Sequence, residues 1–294
     1  MDISEILQTL TLGLVLGGVY ALFASGLTLV FGVMRIVNIA HSAFIFMAAF
    51  IAYHLNKLFG IDPILSIAIT MPLMFLFGIV IYRLVLARGA ESPRYTEMTV
   101  LMTFAMALMV EGALAFLFTG TIRTLRPSYA VGSYFVGDIF IPKAQLYATI
   151  TSFVLIGATW LFLRYSRIGY AIRATMQNRA AAKTVGVNVE FVSMIAFGLG
   201  MALAGASGSL MSFLFSFFPS GHWEWVALLL SLIVLGGMGQ LFGAIVGAVL
   251  LAILAAFVSS EFGPTWSPLT FYLSLFVILL IRPQGLFGKK TEAR

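Results

Sequence analysis

Long apolar runs alternate with short basic gaps along this chain, and that alternation leaves few folds open to it. Ile6 to Met34 contains no charged residue, and a helix needs only about 20 apolar residues to cross the hydrocarbon core of a bilayer. Further apolar runs cover Ile36 to Leu55, Ile64 to Tyr82, Met98 to Thr119, Gln145 to Leu163, Phe191 to Phe218, Val226 to Val258 and Leu269 to Ile281. Of the 294 residues 61% are hydrophobic and only 10% are charged, against about 25% charged in a soluble domain. One water-soluble core could not hide that much apolar surface, so the bilayer must serve as part of the solvent. Val226 to Val258 is too long for a single span and breaks naturally at Gly236-Gly237-Met238-Gly239. The expectation is an all-α polytopic membrane protein, one transmembrane domain over 1–294. About nine helices are expected, within a range of 8–10, and Ile6–Met34 has the length to contain a broken helix.

Lysine and arginine set the expected orientation, because they accumulate in cytoplasmic loops. The gap at 83–97 holds Arg83, Arg88 and Arg94, and the stretch 164–190 holds Arg164, Arg167, Arg173, Arg179 and Lys183. The tail holds Arg282, Lys289, Lys290 and Arg294, while the N-terminus carries Asp2 and Glu5 and no base. These place the N-terminus outside and the C-terminus in the cytoplasm. A secretory signal begins with a positive region, so the first run is expected to remain as a span. Gly120 to Lys143 falls outside in this count despite Arg123, Arg126 and Lys143.

Several classes drop out. There is no cysteine, which removes disulfides, thiolate catalysis and Cys-ligated zinc. The net charge of +6 sits in the gaps between spans rather than on an aromatic and basic surface of the kind that binds nucleic acid. No G-x-x-x-x-G-K-[ST] occurs, so any ATP and Mg would be bound by separate chains, and no cofactor is expected here. No paired acids, His cluster or Ser/His constellation gathers at one membrane depth, which argues against an enzyme.

Polar residues inside apolar runs are costly and mark functional positions or interhelical hydrogen bonds. Asn38, His41 and Ser42 lie three and four apart, as on one helix face, close to Arg35 and hence to the cytoplasmic end. They are candidates for a gate or pathway lining. Glu111 lies within Met98–Thr119 and needs a partner, a proton or water; about 2.5–3.5 kcal/mol is the insertion cost of a central charge. Gly236, Gly237 and Gly239 suggest a tight turn or a discontinuous helix, which at membrane depth often accompanies a transport site. Gly13, Gly17, Gly18, Gly198, Gly205, Gly208, Gly243 and Gly247 have the spacing of close helix packing. In Gly221-His222-Trp223-Glu224-Trp225 the tryptophans read as interfacial anchors, with His222 and Glu224 free to meet an extracellular partner. One His and one Glu make no metal site.

The 164–190 stretch is too patterned for a plain turn. Ile168, Ile172 and Met176 recur every fourth residue and Gly186 is a plausible helix stop. Such an amphipathic helix suits either lipid headgroups or a cleft in a cytoplasmic subunit. Its sequence, from Gly169 through Arg173, Ala174, Gln177 and Asn178 to Gly186-Val187, resembles the coupling loop of branched-chain amino-acid ABC transporter permeases of the LivH type. Gly18-Val-Tyr20-Ala21-Leu22 through Gly26-Leu27 and Phe31-Gly32-Val33 to Asn38-Ile-Ala40-His41 resembles that family's N-terminal signature. Leu235-Gly236-Gly237-Met238-Gly239 with Gly243 and Gly247, then Arg282-Pro283-Gln-Gly285-Leu286-Phe287-Gly288, resembles its C-terminal end. The resemblance spans nearly the whole chain in order. It implies a bacterial inner-membrane importer subunit that does no chemistry itself. The pore would be shared with a second permease, LivM-type or a copy of this chain. Two cytoplasmic ATPase subunits and a periplasmic substrate-binding protein would complete the assembly. Gly169, Arg173, Ala174, Asn178 and Gly186 would then shape the loop that transmits ATPase closure. The chain departs from the family at Ser42-Ala43, where a glycine and an acid are usual, so the substrate stays open among branched-chain amino acids, urea, amides and aromatic acids. The competing reading is a stand-alone secondary transporter or channel that uses Glu111 and His41 as a proton relay.

Overall fold

A computed structural model describes residues 2–89 and 94–288. Among them the helices are α1 Ile3–Met34, α2 His41–Phe59, α3 Ile67–Ile81, α4 Tyr95–Phe118, α5 Lys143–Tyr165, α6 Arg167–Gln177, α7 Arg179–Thr184, α8 Val189–Leu214, α9 His222–Gly236, α10 Leu241–Phe262 and α11 Ser267–Ile281. Eight helical segments are long and apolar enough to cross a membrane. The exception among the apolar helices is α9, whose 15 residues rise roughly 22 Å against a core of about 30 Å.

The long first run is one uninterrupted helix. It starts on a capping box, with the Asp2 amide donating to Glu5 Oε2 at 2.8 Å, and most of its length is buried. It is the central post of the bundle, surrounded by α5, α8, α9 and α10. Glycine makes this approach possible, since a Cβ on Gly13 or Gly17 would lie 2.7 Å from Ile253 Cα or 2.8 Å from Val249 Cα. On its far side α8 wedges between α2 and α3. By contrast α4 and α11 leave large apolar side chains such as Leu101, Met109, Phe116, Phe276 and Leu280 exposed, the surface expected of helices that meet lipid or a partner.

The helices alternate in direction, so the loops sort to two ends. One end carries Arg35, Arg83, Arg88, Arg164, Arg173, Arg179, Lys183 and Arg282; it is marked by Arg35 Nη2 donating to the Met176 carbonyl at 3.4 Å and by Leu286 N–H donating to the Leu235 carbonyl at 2.8 Å. Lys289, Lys290 and Arg294 lie outside the described residues. The opposite end carries an antiparallel hairpin, β1 Ser133–Val136 with β2 Ile139–Pro142, within the stretch read as polar. Gln8 clasps it, its Nε2 donating to the Phe140 carbonyl at 2.9 Å and its Oε1 accepting from the Phe140 amide at 2.8 Å. Tyr129 hydroxyl donates to Asp62 Oδ1 at 3.1 Å, and burial, then the Asp62 charge, holds that phenol above its usual range.

Two bases of this end, Arg123 and Lys143, have local partners. Arg123 Nη2 donates to the Phe118 carbonyl at 2.6 Å, and its guanidinium lies 5.2–5.7 Å from the rings of Tyr53, Phe50 and Phe118. Lys143 Nζ sits 5.0 Å over Tyr134. Local pairing thus accounts for Arg123 and Lys143 on the side opposite the arginine-rich loops.

Candidate functional site

At the arginine-rich end the 164–190 stretch forms an elbow rather than a single amphipathic helix. Asn178 leaves the helical region (φ −152, ψ 106) and its side chain accepts from the Ala181 amide at 3.0 Å, capping α7. The Asn178 amide still donates to the Ala174 carbonyl at 3.0 Å, closing α6. Asparagine is a strong N-cap, so residue 178 divides what periodicity alone reads as continuous. Gly186, at φ +87, ends α7 and lets the Val187 amide reach the Ala182 carbonyl at 3.0 Å.

The elbow is tied down at its root. Ser166 Oγ accepts from the Gly169 amide at 2.8 Å. Gly169 is pressed on the end of α5, where a Cβ would lie 2.5 Å from the carbonyl oxygens of both Phe162 and Leu163. Arg173 Nη2 donates to the Arg164 carbonyl at 3.2 Å, and its guanidinium stacks 4.8 Å from Tyr170. A cation at the C-terminal end of α5 also suits the helix dipole. Of the expected apolar stripe, Ile172 is fully buried and Met176 packs against the bundle at Gly32, while Ile168 is the exposed end. The stripe therefore faces inward, and Tyr170, Arg179, Lys183 and Val185 are left exposed. Ser166→Ala should cost about 1 kcal/mol of local stability. Amide exchange over Gly169–Arg173 should speed up roughly fivefold, with the spanning helices unchanged.

The glycine turn lies at this same end, not at mid-membrane. Gly237 (φ +100) and Gly239 (φ +81) reverse the chain between α9 and α10. A Cβ on Gly239 would lie 3.0 Å from Gly32 Cα, and one on Gly237 2.8 Å from Gly288 N. The break thus joins the ends of α1, α9 and the C-terminal segment beside the elbow.

Asn38 does not share a helix face with His41 and Ser42. It precedes α2 in an irregular segment, where its carbonyl accepts from the His41 amide at 3.2 Å. Arg35 (φ 58) caps α1 and turns the chain away before α2 begins. Asn38, His41 and Ser42 are nonetheless all buried, at 1–2% exposure. His41 packs where α1 and α8 touch, 2.9 Å from the place a Gly26 Cβ would occupy. The Asn38 amide atoms and both His41 ring nitrogens are buried with no hydrogen-bond partner among the described residues.

Glu111 pairs with a segment that the sequence placed outside. Trp223 Nε1 donates to Glu111 Oε2 at 2.8 Å, and His222 Nε2 lies 3.3 Å from the same oxygen. His222 is fully buried, and Trp225 packs among Tyr20, Phe23, Phe46 and Phe215. The two tryptophans therefore serve the interior, not the membrane interface. The chain re-enters the bundle between α8 and α9, through the turn Pro219–Gly221. Short helix length is the signal that reveals this: α9 reaches the arginine-rich end yet has only 15 residues, so its start must lie at depth. Glu111 and His41 each have different neighbours and form no pair.

Eight apolar helices long enough to cross a membrane among the described residues, an elbow at one end and polar side chains held within the bundle define a multi-pass membrane protein. A family model described as branched-chain amino acid transport system / permease component matches residues 9–281, and the chain belongs to that family of inner-membrane permeases. It is 25% identical to the high-affinity branched-chain amino acid transport system permease protein BraD of Pseudomonas aeruginosa, over 98% of this chain and 97% of that one. It is 26% identical to the corresponding LivH of Escherichia coli K12, over 96% of each. With a probable LivH of Methanocaldococcus jannaschii it shares 25% identity, over 91% and 88%. Among solved structures, PsaBC from Streptococcus pneumoniae in complex with Fab superposes with a TM-score of 0.51 at 14% identity, covering 97% of this chain and 98% of that one, a likeness of fold alone.

Proposed function

We propose that this permease forms part of the solute path of an ATP-driven importer for branched-chain amino acids or closely related small amphipathic solutes. Its arginine-rich end faces the cytoplasm, as the distribution of basic loops favours, with the N-terminus outside. It pairs with a LivM-type subunit or with a copy of itself, meets two cytoplasmic ATPases, and receives solute from an extracytoplasmic binding protein. The observation that carries this reading is the elbow: α6 is fixed to α1, α5 and α8, and α7 to α6 and α8, while Tyr170, Arg179, Lys183 and Val185 are left exposed on the outer face. A rigid lever of this kind transmits motion from a docked subunit to the spans. Asn38, His41 and Ser42 sit in the same half of the bundle and serve its inner neck. Gly236, Gly237 and Gly239 let α9 and α10 turn against α1 at the elbow. The solute passes the face of α4 and α9 that bears Glu111.

Arg173→Glu tests the reading. The variant loses the bond to the Arg164 carbonyl and sets an anion against the negative end of α5. Uptake by the reconstituted complex should fall at least tenfold while ATP hydrolysis persists. Wild-type uptake at normal expression would remove the coupling role. Purification in mild detergent should bring two P-loop ATPases and a second permease; a lone chain that transports without ATP would end the importer reading.

A further inference from the structure

Glu111 is held at one oxygen and open at the other. Both its contacts, Trp223 Nε1 and His222 Nε2, fall on Oε2, and among the described residues none bonds Oε1. The Glu111 side chain keeps 24% of its exposure. Its depth follows from two independent helices. From Tyr95 at the arginine-rich end to Glu111 is roughly 24 Å of α4, and from Gly236 to His222 is roughly 21 Å of α9. Both place the group inside a core of about 30 Å. Acids within spans turn to the bundle interior or to a watery path rather than to lipid, which makes an open carboxyl oxygen at that depth a candidate for a solute path. Glu224, two residues beyond His222, is exposed on the same first turn of α9, so a second acid sits at the same level.

The surroundings select the occupant. Trp223 and Phe104 lie with ring centroids 5.5 Å apart beside Glu111, and aromatic faces next to a carboxylate suit a cation. An anion at the α9 N-terminus also agrees with its dipole, so the carboxylate is stabilised where it stands. We propose that Glu111, with Trp223 and Phe104, is the station on the solute path that receives the solute's ammonium group. This rests on the transport reading above and deepens it: the cargo is a primary amine, such as an α-amino acid, rather than an uncharged amide, urea or a simple acid.

Uptake and stability of one variant separate this role from a structural latch between α4 and α9. Glu111→Gln keeps the shape and the acceptor for Trp223 but removes the charge. The complex, reconstituted with its ATPases and binding protein, should take up leucine at least tenfold more slowly with E111Q, while its thermal unfolding in detergent moves by no more than a few degrees. E111Q uptake within twofold of wild type, or loss of uptake that follows only from unfolding of the complex, would overturn the station. A second measurement needs only the unmutated permease complex without binding protein. Its tryptophan fluorescence should change saturably with leucine and with 3-methylbutylamine, but not with 4-methylpentanoate, and the change should be lost in W223F. An equal response to the carboxylate, or none to either amine, would also overturn it. If the wild-type complex responds to amines yet does not take up leucine, the substrate assignment fails and the station stands.

Discussion

Gly208→Val should yield almost no folded protein. At residue 208 α8 crosses α2 so closely that a Cβ would overlap the Ile45 carbonyl oxygen, 2.5 Å from Ala48 Cβ and 2.7 Å from the Ala49 amide nitrogen. Two of the three obstacles are backbone, which no rotamer change relieves. Core overpacking normally costs about 1–3 kcal/mol; here relief requires α2 and α8 to separate over their shared length. The yield of monodisperse protein in detergent should fall at least tenfold. Gly112 provides the control, because the space beside it on α4 is open. Gly112→Ala should preserve the yield and add up to about 1 kcal/mol through helix propensity. Equal yields for the two variants would show that the α2–α8 contact is looser than described.

Gly169→Ala should leave the bundle intact and abolish coupled uptake. The added methyl meets two carbonyl oxygens at 2.5 Å, both on the last turn of α5. It forces α6 off its seat and breaks the Ser166 cap at the same time. The spans that pack around α1 do not depend on this contact, so thermal unfolding in detergent should move by only a few degrees. Uptake should fall at least tenfold, and recovery of the ATPases in a pull-down should drop with it. Normal uptake would place docking elsewhere on the arginine-rich end. Together the two glycines separate what holds the helices together from what holds the lever to them.

The arginine spacing and the glycine motifs could be read directly from the chain because they are local. A span is legible from about 20 apolar residues, and the arginines of separate loops reach one end simply because the spans alternate. Other positions were not legible for equally plain reasons. His41 and Ser42 look like the same face as Asn38 at helical spacing, but α2 starts at His41, since Arg35 turns the chain out of α1. The elbow reads as one helix until Asn178 uses its side chain to cap a second.

Hydropathy and charge by themselves determined the class of this protein, its spans and the sorting of its loops, since transfer to lipid depends on each segment's own residues. They did not determine what meets what. Glu111 in α4 and Trp223 in α9 are separated by 112 positions, and nothing local to either announces the other. Only the packing of helices through glycine contacts decided that a 15-residue helix would start at depth beside the acid, because a carboxyl group held within the bundle takes whatever donors the tertiary fold brings within reach.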